Sequence, residues 1–79
     1  MIEYNIKIEI ASDIDFNKLI AEIYINDKYF CLISQENGVD SLELINPNYN
    51  KNSNIIRNIP IKILNKSIKL AIEKLIKFK

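Results

Sequence analysis

Few side chains in this chain could act as nucleophiles or general bases. The sequence contains one cysteine, Cys31, and no histidine, so the commonest general base and the triads built on it are absent. A catalytic thiol needs surroundings that lower its pKa. The strand pairing predicted below instead places Glu22 opposite Cys31, and a carboxylate raises the pKa of a nearby thiol. We interpret Cys31 as a strand residue without a catalytic role.

The carboxylates do not form a recognisable site either. Asp13 and Asp15 are spaced like the start of a calcium loop, but the third acid, the glycine and the later glutamate of that loop are missing. The chain has a single glycine, and a phosphate-cradling loop needs several. The remaining candidates for a catalytic pair of carboxylates are Glu22, Glu36 and Glu43. Their spacing in the sequence gives no reason to place them together in one cleft. The sequence thus predicts no enzyme, no metal site and no cofactor.

Lysines offer a different chemistry, because a basic face can bind phosphate. Through Ile45 nine acids face three lysines, whereas from Asn46 onward eight bases face only Glu73. Four lysines share one side of a predicted helix and form the candidate basic face: Lys62, Lys66, Lys69 and Lys77. Against nucleic acid stand the near-neutral pI of 7.8, a single arginine and the acidic first half. We keep a nucleic-acid-associated regulator as the alternative.

Length and composition predict what kind of protein carries these side chains. The 79 residues are 48% hydrophobic and 27% charged, which predicts one globular domain over residues 1–79. With one cysteine no internal disulfide can form, which favours a reducing compartment. The first seven residues, MIEYNIK, do not have the basic stretch and apolar core expected of a leader, and no run of about 18 apolar residues occurs in the sequence. These features predict a cytoplasmic protein without a membrane segment.

Three strands are predicted from side-chain alternation and turn residues. Apolar and polar residues alternate strictly from Ile2 to Ile10, which is typical of a strand with one buried face. Leu19 to Ile25 and Lys28 to Ser34 are rich in isoleucine and aromatic residues. Asn26 and Asp27 between them fit a two-residue hairpin turn of the primed type.

The hairpin predicts which side chains share a face. If Ile25 lies opposite Lys28, the predicted core face pairs Ile23 with Phe30, Ala21 with Leu32 and Leu19 with Ser34. The opposite face pairs Tyr24 with Tyr29, Glu22 with Cys31 and Ile20 with Ile33. This second face, with Lys18 at its rim, is the predicted protein interface: Ile20, Glu22, Tyr24, Tyr29, Cys31, Ile33 and Gln35.

The remainder of the chain predicts one short strand and one helix. Ser41 to Ile45 reads as a fourth strand, Asn46 to Asn54 as a surface loop, and Ile55 to Ile61 as ambiguous. From Ile61 to Phe78 apolar residues recur every three or four positions, with Pro60 at the start. The predicted fold is α+β: a four-stranded antiparallel β-meander with one C-terminal amphipathic helix packed on one face.

The segments "AEIY" (Ala21 to Tyr24) and "ISQENG" (Ile33 to Gly38), with the proline-led helix after them, resemble a group of small bacterial proteins. The resemblance extends from Leu19 to the C-terminus, and that group is similar in size and architecture to single-domain immunity proteins that neutralise toxins. Where the pattern has an acid early in its helix, this chain has Lys62. The resemblance implies a small binding domain and assigns no catalytic residue.

These observations favour a non-catalytic protein-binding domain. The predicted partner is another protein, a toxin or a defence component, which an inhibitor or immunity-type protein would block by occlusion. A phage or mobile-element inhibitor of a host defence complex would act in the same way. Two alternatives remain for this face of the sheet. A second copy of the chain could cover it in a homodimer, or the loop from Asn46 to Asn58 could fold back over it.

Overall fold

The computed structural model describes residues 3–46 and 58–77. Within these ranges four strands precede one helix: β1 (Ile6–Ala11), β2 (Ile20–Ile25), β3 (Lys28–Ser34), β4 (Glu43–Ile45) and α1 (Ile61–Lys77). All neighbouring strands are antiparallel, in the order β1-β2-β3-β4. The predicted meander with one helix on one face is confirmed, because α1 contacts β1 and β2, and β3 to a lesser extent. In the described part of the chain no helix has the length and apolarity to cross a membrane.

The β2–β3 hairpin turns as its residues predict. Asn26 and Asp27 have φ angles of 52° and 68°, the left-handed values that a primed two-residue turn requires. Ile25 pairs with Lys28 and Tyr24 with Tyr29. The turn is also tied to the residue before β1, because the Asn26 N–H donates to the Asn5 carbonyl at 2.8 Å. The predicted start of this hairpin is therefore correct.

Beyond Tyr29 the predicted register is wrong by one residue. Ile23 pairs with Cys31 rather than Phe30, and Ala21 pairs with Ile33 rather than Leu32. One step on β2 corresponds to two steps on β3 at this point, so Phe30 is the extra residue of a β-bulge. Because side chains alternate between faces, a shift of one residue exchanges the faces of all that follow. Glu22 consequently lies opposite Leu32, not opposite Cys31.

The helix begins directly after Pro60. The carbonyl of Pro60 accepts hydrogen bonds from the N–H groups of Ile63 and Leu64, both at 3.0 Å, and proline is well tolerated at such a start. Lys74 and Lys77 occupy the last turn, where cations favour the negative end of the helix dipole. The predicted helix is confirmed through Lys77, and Phe78 lies outside the described residues.

The helix buries a narrower stripe than its apolar residues suggest. Its buried residues are spaced by four, Ser67, Ala71 and Leu75, and Ser67 satisfies its hydroxyl by donating to the Leu64 carbonyl at 2.9 Å. Ile61, predicted to lie on the packed side, is largely exposed. Ser67 and Ala71 are both 0% exposed, so small side chains occupy much of the packed stripe.

The main core lies between α1 and the sheet. It contains Ile8, Ala21, Ile23, Ile25, Cys31, Ile33, Ala71 and Leu75. Leu19 and Phe30, predicted to belong to this face, pack only partly against it. Leu32 and Ser34 were predicted here too; both are buried, but the register places them on the other face with Ile20.

The connection between β1 and β2 is held to the end of β3 by polar side chains. The two carboxylate oxygens of Glu36 accept the N–H groups of Asn17 and Lys18 at 3.0 and 2.8 Å. The Gln35 amide donates to the Leu19 carbonyl at 2.9 Å. Reversal of the chain after β3 then uses Gly38, whose φ of 95° few other residues adopt.

Several predictions fall outside the described residues. These are Ile2 at the start of the first predicted strand, the loop residues 47–54, and the residues 55–57 of the ambiguous segment. The alternative that the loop from Asn46 to Asn58 covers a sheet face falls there as well. Three strands start later than predicted: β1 begins at Ile6, so residues 3–5 of the first predicted strand lie before it, β2 begins at Ile20 rather than Leu19, and β4 at Glu43 rather than Ser41. At its other end β1 runs one residue further than predicted, to Ala11 rather than Ile10.

Candidate protein-binding face

The sheet face opposite the helix carries a cluster of aromatic and charged side chains at the hairpin end. It consists of Lys7, Glu9, Glu22, Tyr24 and Tyr29, and we call it the tyrosine face. The register explains the grouping, because Lys7 pairs with Tyr24, Glu9 with Glu22, and Tyr24 with Tyr29. Three neighbouring strands thus each contribute to one continuous surface.

The two tyrosines are held against each other and against a lysine. Their ring centroids are 5.4 Å apart with a 43° angle between the planes, a tilted arrangement that aromatic pairs favour. The Lys7 Nζ lies 5.1 Å from the centroid of Tyr24, within the range of a cation–π interaction. Lys7 also lies 3.5 Å from the Glu9 carboxylate. The aromatic rings are therefore oriented before any partner arrives.

The tyrosine hydroxyls are kept in their neutral form. The Tyr24 hydroxyl donates to Glu22 Oε1 at 3.2 Å, and its pKa is raised by burial and by the charge of Glu22. Burial, followed by the charge of Glu22, raises the pKa of Tyr29 to about 12. Both groups are therefore hydrogen-bond donors as well as acceptors near neutral pH.

Three of the seven predicted interface residues lie together on this face: Glu22, Tyr24 and Tyr29. Tyr29 is 36% exposed, and Glu22 and Tyr24 are half-buried. Ile20 lies on the same side of the sheet but is fully buried. Gln35 is half-buried, and its amide donates a hydrogen bond to the Leu19 carbonyl. This bond joins the residue after β3 to the residue before β2. The rim residue Lys18 is exposed, with its backbone amide bound by Glu36.

Cys31 and Ile33 are not part of the candidate interface. The bulge at Phe30 turns both side chains into the core beneath the helix, where they are 0% and 2% exposed. The thiol of Cys31 is free, and its burial raises its pKa to about 11. Glu22, predicted to be the cause of such a shift, lies opposite Leu32 instead. A buried protonated thiol is a poor nucleophile.

Two residues of the tyrosine face, Lys7 and Glu9, were missed by the sequence reasoning. The signal was present, because both are polar positions of the first alternating strand. The β1–β2 register was not predicted. It places the solvent-facing side chains of β1, Lys7 and Glu9, beside Tyr24 and Glu22. Charged side chains beside a tyrosine pair give the surface the mixed character of a protein interface.

The predicted basic face is a separate surface on the helix. Lys62, Lys66, Lys69 and Lys77 are all exposed, and helical periodicity places them opposite the buried Ser67, Ala71 and Leu75. Glu73 lies within the same row and interrupts its positive charge. The row lies on the helix side of the sheet, where Glu73 and Lys77 reach the groove beside Ile8, so the structure does not combine it with the tyrosine face.

No group of three or more histidine, cysteine, aspartate or glutamate side chains suited to a metal ion occurs in residues 3–46 and 58–77. Asp13 and Asp15 lie in the β1–β2 connection, where the Asp13 carboxylate accepts the Asp15 N–H at 2.8 Å. This bond is that of an Asx turn, which gives Asp13 a local structural role.

Comparison of the chain with models of protein families, with curated proteins and with solved structures gives no match.

Proposed function

We propose that this protein is a non-catalytic binding domain, an inhibitor or immunity-type protein that docks its tyrosine face onto another protein and blocks it by occlusion. The observation that carries the proposal is the ordered Tyr24–Tyr29 pair on the helix-free side of the sheet. Tyrosine is a preferred anchor of interfaces because it brings a large contact area and loses little conformational entropy.

The side chains around the pair support the same role. Lys7 and Glu22 fix the ring and the hydroxyl of Tyr24, so less order has to be imposed on binding. Tyr29 is the more exposed ring and stands at the start of β3. We assign Tyr29 as the first anchor, Tyr24 as the second, and Glu22 and Lys7 as polar contacts at their rim.

Charge indicates the kind of partner. The first 45 residues carry nine acids and three lysines, and all four strands come from this acidic half. Glu9 and Glu22 place two carboxylates directly on the tyrosine face. A partner with a basic binding surface would complement this face and associate faster at low salt. A toxin or a defence component with such a surface fits the proposal.

The test compares two pairs of substitutions on opposite sides of the molecule. Protein captured from the source cells would be identified, purified and titrated against wild type, Tyr24→Ala/Tyr29→Ala and Lys66→Glu/Lys69→Glu. We expect the tyrosine pair to weaken binding by about 30-fold or more, as loss of a hot spot does. The lysine pair is the matched control and should bind within about threefold of wild type. Circular dichroism would verify that both variants are folded.

The opposite pattern, with binding lost in the lysine variant and kept in the tyrosine variant, contradicts the proposal. An inhibition assay completes the test, because occlusion requires the purified partner to lose its activity at one equivalent of this protein. A partner from a host defence complex rather than a toxin would favour the variant of the proposal in which this is a phage or mobile-element inhibitor.

The exposed lysine row of α1 supports a second candidate, a nucleic-acid-associated regulator acting through Lys62, Lys66, Lys69 and Lys77. Such binding would be strongly salt-dependent, because each lysine–phosphate contact releases counterions. Fluorescence anisotropy with labelled DNA and RNA at two salt concentrations tests it. Loss of binding in Lys66→Glu/Lys69→Glu would support this candidate, and no binding at low salt would eliminate it.

A further inference from the structure

The outer edge of β1 presents backbone groups in a regular row. The Asn5 carbonyl accepts the Asn26 N–H at 2.8 Å, and the Asn5 N–H donates to Asn26 Oδ1 at 2.7 Å, so Asn5 faces β2. Backbone groups in an antiparallel strand point to alternate sides. The residues whose amide and carbonyl point away from β2 are therefore Ile6, Ile8 and Ile10. Among the described strands, β1 pairs only with β2.

The sequence of this edge is symmetric about its centre. Ile6-Lys7-Ile8-Glu9-Ile10 has isoleucine at both ends and in the middle, with opposite charges at equal distances from Ile8. We propose that the chain forms a homodimer in which β1 pairs antiparallel with β1 of a second copy, centred on Ile8. The inference goes beyond the proposed function, because it requires neither another partner nor contact through the tyrosines.

Pairing about Ile8 satisfies both the backbone and the charges. Each outward-facing isoleucine would meet an isoleucine of the second copy and exchange N–H···O=C bonds with it. Lys7 would lie opposite Glu9 of the second copy, and Glu9 opposite its Lys7. These are non-hydrogen-bonded positions, where opposing side chains are closest. Lys7 and Glu9 are 54% and 51% exposed, so both are accessible for this contact.

The helix leaves room beside the edge. A groove of about 430 Å³ is lined by Ile8 and by the helix residues Leu70, Glu73, Lys74 and Lys77, and Leu70 is 37% exposed. Lys74 reaches across and donates to the Ile8 carbonyl at 2.9 Å. A carbonyl oxygen has two lone pairs, so a strand of the second copy can bind Ile8 beside Lys74 or replace it.

Charge complementarity is the reason to assign a second copy to this edge. A strand of unrelated sequence would meet Lys7 and Glu9 with arbitrary side chains, whereas β1 meets itself with each charge opposite its counterpart. Six residues of β1 are available, compared with three in β4 at the other edge. A longer edge offers more backbone bonds to a second sheet.

Charge reversal with mixing tests the dimer. Sedimentation equilibrium would be measured for wild type, Lys7→Glu, Glu9→Lys, and an equimolar mixture of the two variants. Each single variant places like charges opposite each other in its own dimer, so its association should weaken about tenfold or more. In the mixture the opposing charges are again complementary. We expect a heterodimer of nearly wild-type affinity, identified by its mass in native mass spectrometry.

The mixture separates contact between copies from effects within one copy. Both variants lack the internal Lys7–Glu9 ion pair, so only pairing between chains can restore association. A wild-type protein that stays monomeric at its highest soluble concentration overturns the proposal. A dimer whose dissociation constant is the same in wild type, Lys7→Glu and Glu9→Lys overturns it as well. Hydrogen exchange of the backbone amides is a further test. Protection of the Ile8 N–H in a dilute monomer would show that another segment of the same chain covers the edge, which contradicts the proposal.

Discussion

The two faces of the sheet use the same three strands for different purposes. Under the helix, Ala21, Ile23 and Cys31 have no exposed surface, and burial of such apolar side chains stabilises the fold. On the opposite side, Tyr24 and Tyr29 keep part of their rings and their hydroxyls accessible. Adjacent residues of one strand thus alternate between the core under the helix and the tyrosine face, and the bulge at Phe30 sets this alternation on β3.

The largest effect should come from truncating the helix-covered face. Ile23→Ala removes a completely buried side chain at the centre of the core. We expect a loss of about 2–5 kcal/mol in the free energy of unfolding, measured by urea denaturation. Ile23→Val is the matched control, with an expected cost of about 1 kcal/mol. Equal and small losses in both variants would contradict the placement of Ile23 in the core.

The next effect concerns Cys31, whose face differs from the sequence-based expectation. Its thiol pKa is raised from 9.0 to about 11 by burial, so the folded state disfavours the thiolate. Its contribution to stability is complete below pH 9 and is lost as the pH rises towards 11. Cys31→Ala should remove the part of the alkaline destabilisation that begins near pH 9, as measured by denaturation at stepped pH.

Tyr29 provides the control for that titration on the other face. Its pKa of about 12 means that its own contribution is lost between about pH 10 and 12. Tyr29→Phe should therefore leave the decline from pH 9 to 10 unchanged. If Tyr29→Phe removed that early decline and Cys31→Ala did not, the assignment of the two groups would be reversed.

Substitution on the tyrosine face should have a smaller effect on stability. Tyr29→Ala breaks the contact with Tyr24, and a pair of this kind contributes about 0.5–1.5 kcal/mol. We expect the free energy of unfolding to fall by about 1 kcal/mol, while binding to the proposed partner falls far more. A loss as large as that of Ile23→Ala would show that this face is part of the stability core.

The smallest effect is expected at the turn that both faces share. Asp27 has a φ of 68°, which glycine adopts at lower cost, and Asn-Gly is a preferred pair in such turns. Asp27→Gly should raise the free energy of unfolding by a few tenths of a kcal/mol, seen as a small rise in Tm. Asp27→Ala keeps a side chain at the left-handed position and should not be stabilising.

Some of this structure could be predicted because the relevant signals are local. Alternation identified β1, Asn26 and Asp27 identified the turn, and Pro60 with the change in periodicity identified the helix. The bulge could not be predicted from the same signals. Residues 30–33 are four consecutive apolar residues, Phe30-Cys31-Leu32-Ile33, and such a run has no alternation that would assign its members to one face or the other.

The predicted residues of the candidate site were placed correctly before the bulge and incorrectly after it. Tyr24 and Tyr29 lie before the bulge, where the turn alone sets the register, and their pairing was predictable. Cys31 and Ile33 lie after it and were assigned to the wrong face. Ser67 was not predicted to be buried because a serine carries no hydrophobic signal, although its hydroxyl can be satisfied within the helix by the Leu64 carbonyl.

The order of elements along the chain has a consequence for synthesis. Each strand pairs with the strand that precedes it, so the sheet can assemble from short-range contacts as the ribosome delivers them. The helix that covers Ile8, Ile23 and Cys31 comes only at residues 61–77. At about 5–20 residues per second, the nascent sheet would expose its apolar underside for about 2–6 seconds between completion of β4 at Ile45 and completion of the helix at Lys77. Transiently exposed apolar surface of this kind favours aggregation, and docking of the helix ends that exposure.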